Sequence, residues 1–71
     1  MCSTCDWRDA LEEIRDVLAD VELLPERAEG FAASVEEKLD SMAAWIEENE
    51  HVTDAQMTAI ANMRTGVERW L

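Results

Sequence analysis

The 71-residue chain has no tyrosine, one phenylalanine, one proline and two glycines. Strands favour aromatic and β-branched residues and need frequent turns built on glycine or proline. The shortage therefore excludes a sheet and leaves few places where a helix must stop. No apolar run approaches the roughly 20 residues that cross a bilayer. The N-terminus lacks the basic start, apolar stretch and small-residue cleavage site of a secretory signal. The cytoplasm is the expected location, and there Cys2 and Cys5 are reduced thiols or metal ligands. Also missing are a glycine-rich phosphate loop and a second histidine. No catalytic set assembles without them, so the chain reads as a non-enzyme, and its length supplies a single domain at most.

Positive charge is the other shortage. Six Lys and Arg, of which only Lys38 is a lysine, face seventeen Asp and Glu, for a net charge of −11. Residues 1–24 hold seven acids and two bases, residues 25–50 hold eight and two, and residues 51–71 hold two and two. The whole excess lies in the first two thirds. A hydrophobic fraction of 48% is too high for a disordered acidic tail. Like charges repel, so DNA, RNA and anionic membranes are excluded as direct partners. A cytosolic protein adapted to high salt is also acid-rich and lysine-poor, because screening relieves self-repulsion. The neutral last third counts against that explanation.

What remains is helix. Trp7, Leu11, Ile14, Leu18 and Val21 recur at spacings of 4, 3, 4 and 3, one stripe of a helix over residues 4–23. Ser3 or Thr4 is suited to cap it, and Asp6 and Asp9 suit its positive end. Leu24-Pro25 ends it, and Pro25 is expected as the first residue of a second helix over 25–48. That helix has the stripe Ala28, Phe31, Val35, Leu39, Met42 and Ile46, with Trp45 beside it. Thr53 and Gln56 form a capping box, with Val52 and Met57 as hydrophobic staple, opening a third helix over 54–70. Its stripe runs through Ile60, Met63, Val67 and Trp70. Short connections favour antiparallel neighbours, so the expected fold is all-α, an up-down-up three-helix bundle with a long central helix.

The acids fall into two lines. Helix 1 places Asp9, Glu13, Asp16 and Asp20 together, and helix 2 places Glu29, Glu36, Asp40 and Glu47 together. Neighbours at i+3 and i+4 lie about 5–6 Å apart, the same order as phosphates along one DNA strand. Solvated helix faces normally mix signs, because like pairs cost a few tenths of a kcal/mol each. Accepting so many like pairs points to a polyanion (nucleic-acid) mimic that engages a basic surface of a nucleic-acid-binding protein.

Three readings of Cys2-Ser3-Thr4-Cys5 stay open. As half of a zinc site it needs further ligands, and the bundle topology brings His51 of the helix 2–3 turn to the same end, with Glu50 or Asp54 as a fourth donor. Two chains each giving a CxxC is the other way to complete it. As a redox pair it gains from a helix N-terminus but is opposed by Asp6 and Asp9. The third reading is plain terminal cysteines. Core packing is the expected role of Trp7, Trp45 and Trp70, with Trp70 close to Leu24 and Phe31. A tryptophan at the chain end is hard to bury, so Trp70 and Leu71 are candidates for a homodimer or partner contact. Met42, Met57 and Met63 read as core fillers.

Phe31-Ala32-Ala33-Ser34-Val35, followed by Val52-Thr53-Asp54-Ala55-Gln56, resembles short helical segments in small phage and mobile-element proteins of unknown role. The likeness covers roughly half the chain, brings no functional residue with it, and implies a small accessory or inhibitory protein. The reading that follows is a cytoplasmic, acidic protein-binding module. Its alternative is an acidic, salt-adapted helical dimer with zinc or a plain CxxC at its N-terminus and no mimicry.

Overall fold

The computed structural model describes residues 6–71, and within them the chain forms three α-helices and no strand. Helix α1 spans Trp7–Val21, α2 spans Glu29–Asn49 and α3 spans Asp54–Glu68. Each helix contacts the other two, and Phe31 near the start of α2 meets Trp70 beyond the end of α3, with 6.4 Å between ring centroids. The path is up, down and up, with the 21-residue α2 as the long central element.

The connections follow local chemistry. α1 closes in a turn where Leu23 and Leu24 donate to the carbonyls of Asp20 and Val21 at 3.0 and 3.1 Å. Pro25 does not begin α2, as the sequence led us to expect. It is extended (φ −68°, ψ 159°), and its carbonyl accepts from the Ala28 amide at 2.9 Å. A 3₁₀ turn, Glu26–Ala28, therefore precedes α2. α2 ends in a Schellman arrangement: Glu50 is left-handed (φ 49°, ψ 46°), and the His51 amide reaches back to the Ile46 carbonyl at 3.4 Å. α3 opens on the expected capping box, with Gln56 N–H donating to Thr53 Oγ1 at 3.1 Å and Thr53 N–H donating to Gln56 Oε1 at 2.9 Å. α1 has Asp6 at its cap position, and the Asp6 side chain makes no capping bond. Ser3 and Thr4, the caps expected for α1, lie outside the described residues.

The core is a single apolar cluster, and no polar or charged side chain among the described residues is buried. α1 contributes Ala10, Ile14, Val17 and Val21, whereas the expected Trp7, Leu11 and Leu18 flank this line and are only partly buried. α2 contributes Val35, Leu39 and Ile46, and α3 contributes Ile60 and Val67 with Val52 from the turn. Gly66 lets the Phe31 ring lie directly on α3, since a Cβ there would stand 3.0 Å from Phe31 Cζ. Three expected core residues, Trp45, Trp70 and Met57, are not in it. Trp45 is 41% and Trp70 38% exposed, each held at the surface by a ring neighbour, His51 at 6.1 Å and Phe31 respectively. Met57 is 49% exposed, so the staple reduces to its buried member, Val52. No helix of the described residues is long and apolar enough to cross a membrane.

Candidate functional site

All eight carboxylates of the two lines are at the surface. Asp9, Asp16, Glu29, Glu36, Asp40 and Glu47 are exposed, and Glu13 and Asp20 are half-exposed. Their register explains why. On α1 each acid immediately precedes a buried residue: Asp9 before Ala10, Glu13 before Ile14, Asp16 before Val17, Asp20 before Val21. On α2 each acid immediately follows one: Glu29 after Ala28, Glu36 after Val35, Asp40 after Leu39, Glu47 after Ile46. One residue is about 100° of rotation, so both lines sit beside the core stripe rather than opposite it.

Because α1 and α2 are antiparallel, these opposite offsets turn in the same sense around the bundle. The two lines therefore border different seams instead of facing each other across one groove. The α1 line runs along the seam with α3, where Arg64 donates to Glu13 at 3.2 Å. The line on α2 lies on the side of that helix away from Ser34, Lys38 and Ser41, the residues that α2 turns toward α3. Each line is straight and rigid, about 16 Å from Asp9 to Asp20 and about 27 Å from Glu29 to Glu47 at 1.5 Å rise per residue.

Few of these charges are neutralised internally. Among the described residues Arg64 alone forms ion pairs, with Glu13 at 3.2 Å and Glu68 at 3.4 Å. The hydrogen bond that Arg64 donates to Glu13, more than the one to Glu68, raises the pKa of its guanidinium above the ordinary value. Two of the other arginines sit over tryptophan rings, Arg8 at 5.2 Å from the Trp7 centroid and Arg27 at 5.6 Å from that of Trp70. Cation–π placement holds them without cancelling a carboxylate.

The remaining candidates divide by position. His51 is half-buried in the α2–α3 turn, at the same end of the bundle as Trp7, with its ring against Trp45. Cys2 and Cys5, its expected companions as metal ligands, lie outside the described residues. Within those residues no three His, Cys, Asp or Glu side chains come together as a metal site. Trp70 and Leu71, the expected contact pair, are both exposed, Leu71 at 61%.

One feature escaped the sequence reading. An open groove of about 600 Å³ lies between α2 and α3, floored by Met42, Ala59 and Met63. Ser34, Glu37, Lys38 and Ser41 form its α2 wall. The available signal was the Ser34–Lys38–Ser41 spacing, which places small and polar residues on one flank of an otherwise apolar helix. Met42 and Met63 pack against the core on one side and line this groove on the other.

Comparison of the chain with protein-family models, curated proteins and solved structures finds no match, so the likeness of Phe31–Val35 and Val52–Gln56 to mobile-element segments assigns no family.

Proposed function

We propose that this protein works by binding rather than by catalysis, presenting its two acidic lines to a basic surface of a nucleic-acid-binding protein in the cytoplasm. The observation that carries the proposal is the fate of the charges. Among the described residues only Glu13 and Glu68 of the acids have an ion-pair partner, while Arg8 and Arg27 are held on tryptophan rings. A surface selected for stability would interleave its signs. Here the carboxylates stand in rows on helices fixed by an apolar core, which presents the charge without the entropy cost of ordering it on contact. A partner groove lined by Lys and Arg for phosphates, spaced about 3.4 Å along one strand's axis, would meet one carboxylate every 5 Å or so along α1. Because the lines border different seams, a flat basic surface engages one of them. A groove that wraps a body 17 Å across engages both.

The test is a salt series against a panel of basic nucleic-acid-binding proteins. It compares the natural chain with an Asp9→Asn, Asp16→Asn, Asp20→Asn variant. A cognate partner should bind at 50 mM salt, lose at least about tenfold by 300 mM, and lose a similar factor on neutralisation. Absence of binding across the panel at low salt would overturn the proposal. The competing reading, a salt-adapted dimer, is favoured by Leu23, Trp70 and Leu71, all exposed apolar residues near the C-terminal ends of α1 and α3. It predicts instead a fold that strengthens in molar salt and self-association that salt promotes.

A further inference from the structure

We propose that the groove between α2 and α3 receives an amphipathic, basic α-helix of the partner protein. The inference rests on the functional reading above, that the partner is basic, and adds a further contact on the α2–α3 seam, whose groove lining includes neither acidic line.

The recess suits a helix. Its floor of Met42, Ala59 and Met63 is apolar, and the flexible thioethers adjust to different apolar side chains. Ser34, Ser41 and Ala59 are small, so a second backbone can approach closely. Ser34 and Ser41 are seven residues apart on α2, about 10 Å at 1.5 Å per residue, which matches the i to i+7 span over which a helix sets its anchors into a groove. About 600 Å³ accommodates several apolar side chains from one face of such a helix.

The sign of the occupant follows from charge. A second copy of this chain would bring another −11, and any acidic helix would be repelled in the same way. A cationic helix is attracted from outside the groove by the acid-rich body, and inside it by Glu37. Glu48, seven residues past Ser41, continues the same wall and is exposed. Lys38 is the one cation in the groove lining and works against this occupant. That gives the proposal a distinctive consequence. Removing the Lys38 charge should tighten binding of a basic helix. It should loosen a dimer in which Glu37 and Lys38 pair reciprocally across a two-fold axis.

The experiment titrates the full chain at low salt with two labelled synthetic peptides of identical Lys/Leu composition. One repeats leucine at i, i+3, i+4 and i+7, and the other is scrambled to remove that period. Three variants are compared: the exposed-wall pair Ser34→Gln/Ser41→Gln, Lys38→Gln, and the neutralised α1 line. The wall pair fills the groove without touching the core. The expected result is that the amphipathic peptide binds at least about tenfold tighter than its scramble, and that Ser34→Gln/Ser41→Gln removes that advantage. Lys38→Gln should tighten binding about two- to fivefold, the worth of one exposed charge. Equal binding of both peptides, weakened only by the α1 variant, overturns the groove proposal and leaves the acidic-line reading standing. No binding of either peptide overturns both. A chain that sediments as a dimer loosened by Lys38→Gln gives the groove to a second copy and also overturns the proposal.

Discussion

α1 and α3 are equal in length, 15 residues each, and share one core, yet their sequences treat the helix differently. α3 opens on a complete capping box, and between Asp54 and Glu68 it carries only those two acids, with Arg64 in reach of Glu68. On α1 the Asp6 side chain at the cap position makes no capping bond, and the helix has five acids between Trp7 and Val21 and no base in its last turn. Asp16 and Asp20 stand toward the negative end of the helix dipole, where a carboxylate is unfavourable. α3 is built to be a helix. α1 is held as a helix by the core, against part of its own surface. Acids that weaken the element carrying them need a cause other than folding, and contact with a cationic partner supplies one.

The comparison breaks most decisively in the core. Ile14 on α1 and Ile60 on α3 are each 1% exposed in the same cluster. Ile14→Ala and Ile60→Ala should each cost about 2–5 kcal/mol through lost burial and the cavity left behind. That is much of the stability a domain of this size holds, about 4–10 kcal/mol at 0.05–0.15 kcal/mol per residue. Urea unfolding followed by circular dichroism measures both. Losses of similar size show one cooperative core with two unlike surfaces. A loss under about 1 kcal/mol for Ile60→Ala alone would mean that α3 is an appendage, and its neutral face would then need another explanation.

How much of this was legible beforehand depends on whether a signal was local. The Thr53–Gln56 box names its own partners within four residues, and the α3 start is where the sequence placed it. Proline also acts locally, but Leu24-Pro25 fixed only the end of α1. The extended ψ of Pro25 then left room for the 3₁₀ turn before α2. The centre of the α1 stripe was misjudged by one position. Large side chains draw the eye to Leu11 and Leu18, whereas close helix approach puts the small Ala10 and Val17 innermost. The acid positions were readable because an amphipathic period predicts exposure. Which seam each line borders follows from helix direction, a property of the assembled bundle. The groove was illegible for the same reason: its lining joins five α2 residues, Ser34 to Met42, to Ala59 and Met63 of α3, and no single helix shows it. Trp45 and Trp70 were expected inside on size alone, and their exposure reflects ends of a bundle too thin to enclose them.

The next largest effect tests the caps. Thr53→Ala removes a side chain that accepts from the Gln56 amide at 3.1 Å and should cost about 1 kcal/mol, or about 4–8 °C in melting temperature for a domain of this size. Asp6→Ala occupies the equivalent position on α1, where no capping bond exists. Its cost should stay within about 0.5 kcal/mol, the dipole contribution of one exposed acid at an N-terminus. Equal costs would show that Asp6 caps α1 in solution, and the contrast between the two helices would narrow to their charges.

The smallest effect isolates those charges. Asp16 has Glu12 and Glu13 one turn before it and Asp20 one turn after. Asp16→Lys turns three repulsive neighbours into attractive ones and should stabilise the fold by about 0.5–1 kcal/mol at low salt, at a few tenths per pair. Asn62→Lys on α3 has Thr58, Ala59, Thr65 and Gly66 around it, no charge among them, and should move stability by no more than about 0.2 kcal/mol. Thermal melts at about 10 mM and 1 M salt separate charge from propensity, because the Debye length shrinks from about 30 to about 3 Å over that range. The Asp16→Lys gain should vanish at the higher salt. If it persists, the acid is merely a poor helix former, and its row carries no electrostatic meaning. If it vanishes and the same substitution also abolishes binding to a basic partner, one residue will have been shown to weaken the fold in exchange for recognition, which salt adaptation alone does not require.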